Sequence, residues 1–225
     1  RDLYVTGVQT CALPISFHAN FVRMAAAAAR KVGMECHIQL EERVANPSPL
    51  YRHSGNVLLN RILGATLYSF PEGENEEGAD QNLEDIAEDL RAQGKKPYVI
   101  HLGAGHPPLG SLGYVDAARE LVEQFDKTGA MFDEIIVASG SGATHAGLLF
   151  GLRALGCSVA VKGICVRRSE ELQRLRIVGL CQKIAELLGI ENPVSDHGID
   201  INDDVLAPGY GKMNDAVLEA IKLTA

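Results

Sequence analysis

Residues 134–155 constrain the fold more than any other stretch. An apolar run, Glu134-Ile135-Ile136-Val137-Ala138, leads into small residues, Ser139-Gly140-Ser141-Gly142-Ala143-Thr144-His145-Ala146-Gly147, and then into Leu148-Leu149-Phe150-Gly151-Leu152 at helical spacing. That order reads strand, tight turn, helix. A helix that starts on such a turn leaves backbone N–H groups bare at its N-terminus, where the dipole favours negative charge. Small side chains let an anion approach the backbone, and Ser and Thr hydroxyls add donors. Two readings stand open here: a phosphate site, or a strand-to-helix turn capped by Thr144 with nothing bound.

The same alternation runs through the chain. Residues 22–32 are Ala-rich and read as a helix closed by Gly33, followed by a strand at 34–40. Residues 50–63 read as a helix with Val57, Leu58 and Ile62 on one face, and 65–70 as a strand. An acidic loop at 71–80 precedes a helix at 80–93, with Leu83, Ile86, Ala87 and Leu90 inward, and a strand at 97–102. Val115, Ala118, Leu121, Val122 and Phe125 form the next helical stripe. After Gly156 come a strand at 158–166 and a helix N-capped by Ser169, with Leu172, Leu175, Cys181, Ile184 and Leu188 inward. A last helix covers 213–223. Strand–helix alternation of this kind predicts an α/β fold of parallel sheets with helices on both faces. Ligands in such sheets sit beyond the carboxyl ends of strands, where the 139–147 loop falls.

A soft boundary in the Gly103–Leu112 loop divides the chain into a small α/β domain, 17–112, and a larger one, 113–225. Residues 1–16, RDLYVTGVQTCALPIS, show neither helical nor strand periodicity. They resemble translated sequencing-adapter read-through and are read as a non-native segment.

Composition excludes several classes. A net charge of −8 over 225 residues argues against a nucleic-acid or anionic-membrane partner, though not against a local phosphate site. No apolar run reaches the roughly 20 residues of a spanning helix. The five cysteines are scattered and lack CxxC spacing, and Cys36, Cys157 and Cys165 sit in or beside apolar runs. A reduced, cytoplasmic setting fits them better than a disulfide framework. The seven histidines show no metal-binding spacing; His101 and His145 read as satisfied structure. GxGxxG after a first strand, Gly-Lys-Ser/Thr and GxSxG are all missing. A phosphate carried by a cofactor is what the loop best suits.

Five segments in order then carry a resemblance: HANFVRMAAAAARKVGMECHIQLE (18–41), PLYRHSGNVLLNRILGA (49–65), GAGHPPLGSLGYVDAA (103–118), ASGSGATHAGLLFGLRALG (138–156) and APGYGKMNDAVLEAIKLTA (207–225). Together the chain resembles the D-cysteine desulfhydrase and 1-aminocyclopropane-1-carboxylate deaminase family of pyridoxal-phosphate enzymes, of the two-domain tryptophan-synthase-β fold type (fold type II). The resemblance implies pyridoxal 5′-phosphate as cofactor, with Ser141, Gly142, Ala143 and Thr144 around its phosphate. It implies that Asn20 hydrogen-bonds the pyridoxal 3′ oxygen, against a plain role as helix N-cap. It implies that Tyr210 lies close to a small amino-acid substrate, against a plain loop tyrosine, and that the enzyme is a homodimer.

Two departures bear on activity. The family's serine and histidine flanking that asparagine are Ala19 and Phe21 here. The resemblance implies that ring opening by the deaminase uses that serine, and so favours β-elimination in the desulfhydrase manner, giving pyruvate and ammonia. Alternatives are the deaminase, a racemase or dehydratase relative, and a non-catalytic phosphate- or cofactor-binding module. The family's Schiff-base lysine lies upstream of the Asn20 element. Lys31, Lys95, Lys96, Lys127, Lys162, Lys183, Lys212 and Lys222 do not match it. The expectation is a piece truncated at both ends, inactive as written.

Overall fold

Strands and helices alternate as the hydrophobic pattern requires. The structure is a computed structural model and describes residues 10–101, 103 and 105–224. The chain divides into two units, Arg1–Gly103 and Ala104–Ala225. The boundary expected at 112/113 falls inside a helix, Leu109–Thr128; the packing divides in the loop before it.

The first unit runs β1 (Thr10–Ser16), α1 (Asn20–Lys31), β2 (Glu35–Glu41), α2 (Pro49–His53), α3 (Gly55–Ile62), β3 (Thr66–Phe70), α4 (Glu76–Ala92) and β4 (Pro97–Val99). Its sheet is parallel with strand order β3-β2-β1-β4. The chain steps outward from β1 to β3 and then returns to β4 on the other side of β1. Right-handed crossovers therefore place α1 and α3 on one face and α4 on the other. Val22, Ala26, Ala29 and Val57 pack against Ile38 and Leu40 on the first face. Leu83, Ala87 and Leu90 of α4 are buried as expected.

β1 lies in the stretch that shows no strand periodicity in sequence. Thr10–Ser16 pairs with both β2 and β4. A parallel strand flanked on both sides needs no alternation, so the missing period carried no weight against it. Pro14 is tolerated by its position. The Ala12 carbonyl accepts from Ile100 N at 2.8 Å, and a strand's two-residue period turns Pro14 to that same side. The β4 ladder has already ended there, at Ala12 opposite Val99, so the missing proline N–H breaks no bond. Residues 1–9 lie outside the described residues.

Other bounds moved for local reasons. α4 starts at Glu76, inside the expected acidic loop, because Asn75 caps it: its Oδ1 accepts from Gly78 N at 2.8 Å, and Glu76 and Glu77 suit the positive helix end. The helix expected at 50–63 breaks into α2 and α3 at Ser54–Gly55, where Gly55 takes φ 54°. On α3, Val57 is buried while Leu58 and Ile62 face outward.

The second unit runs α5 (Leu109–Thr128), β5 (Glu134–Ser139), α6 (Ala143–Ala154), β6 (Ala160–Cys165), α7 (Glu170–Leu188), a 3-10 turn at Asp196–Gly198, β7 (Asp200–Asn202) and α8 (Asp215–Thr224). Its sheet is parallel, β5-β6-β7. Both crossovers advance in one direction, so α6 and α7 share a face. Their core holds Leu149, Phe150, Leu152, Ile177, Cys181 and Ile184, all fully buried. α6 meets α5 almost backbone to backbone: a Cβ on Gly147 would lie 2.5 Å from the Ser111 carbonyl, and one on Gly151 2.6 Å from Ala118 Cβ. Ser169 caps α7 as expected. The inner face of α7 differs, however: Leu172, Leu175 and Leu188 are exposed, and Gln173, Ile177 and Leu180 are buried. Among the described residues, no helix is long and apolar enough to cross a membrane.

Candidate functional site

β5 ends at Ser139 and α6 begins at Ala143, so the turn between them is three residues long. Gly142 is the N-cap residue of α6, with φ 89°, and no side chain caps the helix there. Thr144, expected as a possible cap, instead lies one residue inside α6. The first-turn N–H groups have no intrahelical acceptors. A side chain at Gly142 is disfavoured on two grounds. Its φ is left-handed, and a Cβ would lie 2.9 Å from both Ile177 Cδ1 and Leu180 Cδ1.

The loop carbonyls are all directed to protein donors. Ser139 O accepts from Val166 N (3.4 Å), and Gly142 O from Ala146 N (2.8 Å). Gly140 O accepts from Arg168 Nη1 (3.0 Å) and Gln173 Nε2 (3.2 Å). Ser141 O accepts from Arg176 Nε (2.7 Å). A trans peptide points its N–H opposite to its C=O. Holding these carbonyls therefore aims the N–H groups of Gly140, Ser141, Gly142 and Ala143 away from their donors. Together with the α6 dipole they form a concave set of donors suited to an oxyanion.

Beneath the loop lies a buried polar chain. Gln173, fully buried, donates from Nε2 to Ser139 Oγ (2.9 Å) as well as to Gly140 O. Ser139 Oγ is 3.2 Å from His145 Nδ1. Ser139 Oγ thus links the Gln173 amide to the His145 imidazole. Burial pushes the His145 pKa down, so the ring is neutral. His145 is fully buried beneath the loop, against Ser139.

Asn20 is the first residue of α1; Ala19 is the N-cap residue, and no side chain caps this helix. The plain capping role is thus excluded. Instead Asn20 Oδ1 accepts from Asn56 Nδ2 (3.0 Å), and the same Nδ2 donates to the His18 carbonyl (2.7 Å). With its oxygen engaged, Asn20 presents its amide hydrogens. Tyr210 is half-buried in the turns between β7 and α8. His101 is held between Asp80 Oδ1 (3.3 Å) and Glu84 Oε1 (2.9 Å).

The structure gathers Ser141, Gly142, Ala143 and Thr144 into one loop; Tyr210 belongs to another loop of the same unit, and Asn20 to the first unit. Sequence reading missed Asn56, Arg168, Gln173 and Arg176. Gln173 had a readable signal: it is a polar residue in helical phase with Ile177, Leu180 and Ile184. The other three had none, because their roles depend on long-range packing.

Comparison with known proteins bears on this geometry. The chain is 34% identical over 224 residues to the 1-aminocyclopropane-1-carboxylate deaminase of Burkholderia vietnamiensis, and 36% identical over 224 residues to the D-cysteine desulfhydrase of Salmonella typhi. Each alignment covers 100% of this chain and 66% of the relative, so the chain spans just under two thirds of their length. A crystal structure of an ACC deaminase homologue superposes with a TM-score of 0.78 at 31% identity, over 97% of this chain and 62% of that one. The O-ureido-L-serine synthase structure, at 17% identity and a TM-score of 0.57, shares the fold. This is the fold of type II pyridoxal-phosphate enzymes, as the sequence reading expected. The sequence model of the pyridoxal-phosphate dependent enzymes matches residues 12–225, and the chain belongs to that family.

Proposed function

We propose that the protein holds pyridoxal phosphate by its phosphate in the Gly140–Thr144 loop and acts as a lyase on a small amino acid. One observation carries the reading: the loop carbonyls are fixed to protein donors, which leaves a cluster of N–H groups at the start of α6. The residues present fit a phosphate dianion. Residues 139–147 contain no carboxylate, and Ser141 and Thr144 add hydroxyl donors. When bound, the cofactor supplies an electron sink that acidifies the substrate Cα–H bond.

The chain's own residues take defined parts. Asn20, turned by Asn56, donates an amide hydrogen to the cofactor's ring oxygen. Tyr210 orients the substrate carboxylate or donates a proton near it. The reaction we propose is β-elimination. D-cysteine and water would give pyruvate, ammonia and hydrogen sulfide, with the Cβ–S bond broken and the thiol leaving with a proton. The desulfhydrase relative, at 36% identity, supports this, and so does Ala19, which offers no hydroxyl for ring opening. The deaminase relative, at 34% identity, favours a second reading in which 1-aminocyclopropane-1-carboxylate and water give ammonia and a four-carbon 2-oxo acid.

We further propose a cytoplasmic homodimer. We also propose that residues 1–16 are foreign to the natural chain, so that β1 occupies a strand position whose native sequence differs. Amplifying the gene across the codons for residues 1–17 tests this. The 225-residue chain alone is expected to bind cofactor without turnover, because none of its lysines matches the family's cofactor-bearing one. Within the second unit, Lys162 is engaged by Glu134 (3.3 Å) and Asp200 (3.6 Å). The deciding experiment offers D-cysteine, L-cysteate, D-serine and 1-aminocyclopropane-1-carboxylate to the complete gene product and identifies the 2-oxo acid released. Pyruvate from one of the first three supports the lyase. Cofactor binding without any 2-oxo acid would leave a non-catalytic binding module instead.

A further inference from the structure

We infer that Gln173 and Arg176 of α7 are the positioning residues of the anion loop: they hold its carbonyls from behind, so that its N–H groups stay aimed at the ligand's phosphate. The inference rests on the reading of that loop as the phosphate site and assigns its geometry to a second helix.

The two residues are three apart on α7 and therefore lie on one helix face. They take adjacent carbonyls: Gln173 Nε2 takes Gly140 O at 3.2 Å, and Arg176 Nε takes Ser141 O at 2.7 Å. Gln173 Nε2 also donates to Ser139 Oγ at 2.9 Å, which commits both of its amide hydrogens to the loop and its root. Its Oε1 is buried without a hydrogen bond. That orphaned oxygen carries a cost that a leucine at 173 would avoid, at the loss of both donated bonds. If Gly140 O or Ser141 O were released, its peptide could rotate and swing the N–H of Ser141 or Gly142 out of the cup. The Arg176 guanidinium, behind the Ser141 carbonyl, also adds positive potential at the cup, and Arg168 does the same at Gly140.

The test compares pyridoxine 5′-phosphate with pyridoxine on the 225-residue chain by titration calorimetry. Neither ligand carries an aldehyde, so surface lysines do not react. Wild type is expected to prefer the phosphorylated ligand. R176M is expected to weaken the phosphorylated ligand about tenfold, the scale of one hydrogen bond to a charged group, and Q173L less, because Arg168 still holds Gly140 O; pyridoxine binding stays unchanged in both. The 31P resonance of the bound ligand should also shift in both. A merely structural role would lower the melting temperature and weaken both ligands together. Folded variants that keep the wild-type preference overturn the positioning role while leaving the phosphate site standing. A wild-type chain with no preference for the phosphate overturns the site itself. If Q173L does not fold, R176M, whose side chain is only half-buried, decides.

Discussion

Gly142→Ala should damage the second unit more than an ordinary glycine substitution. A Cβ there would sit 2.9 Å from Ile177 Cδ1 and Leu180 Cδ1, and 3.4 Å from Gln173 Nε2. The first two are well inside the optimal carbon separation of about 3.5–4.0 Å. Ile177 is fully buried and Leu180 nearly so, which leaves their methyl groups little room to retreat. Such overpacking costs about 1–3 kcal/mol. The left-handed φ of 89° adds a further cost of about 1–2 kcal/mol for alanine. Gly156→Ala is the internal control. Gly156 also has a positive φ, 72°, but nothing lies within 4 Å of its would-be Cβ, so it bears only the backbone cost. Urea unfolding followed by circular dichroism should therefore show G142A less stable than G156A by about 1–3 kcal/mol. Equal losses would refute the close-packed account of the loop's base.

Other outcomes follow from the same geometry. Gly151→Ala should cost about 1–3 kcal/mol in the same urea assay, because its Cβ would lie 2.7 Å from the Val115 carbonyl and α5 would have to move. His145 is held neutral by burial, with a folded pKa below the ordinary 6.5. The unfolded chain therefore takes up this proton first on acidification. The stabilisation is complete above pH 6.5 and falls below it, by at most about 1.4 kcal/mol per pH unit. H145N should show a shallower fall between pH 6.5 and pH 5 if that is so. Asn56→Ala should cost about 1–2 kcal/mol through its bonds to Asn20 and the His18 carbonyl, read as a lower urea midpoint. An unchanged midpoint would show that the pair adds nothing to the fold.

Sequence reading recovered the parallel α/β architecture because the strand–helix period is local and repeated. It located the strand–turn–helix at 134–155 because small residues between a strand and a helix permit few geometries. It failed where the deciding interaction lies far along the chain. The leucines of α7 are spread around the helix, so their spacing suggested a face through Leu172 and Leu175 that turns out exposed. The true face is marked by Gln173, whose amide meets the Ser139 hydroxyl and the Gly140 carbonyl more than thirty residues away in sequence. β1 was missed because a short strand inside a parallel sheet has no alternation to detect. Asn20 was assigned to the right end of α1, but the hydrogen bond that orients it comes from Asn56, thirty-six residues on.

The Gly147 and Gly151 contacts on α5 have a consequence for binding kinetics. α6 is seated too closely to slide, and the turn at its head is tied down by side chains of α7. The conformational entropy of this loop is therefore lost when the chain folds rather than when a ligand arrives. If the loop is the proposed phosphate site, an incoming phosphate meets a finished receptor and has no segment to order. Its association should be limited by encounter and desolvation, not by closure of the loop, and should proceed in a single kinetic phase.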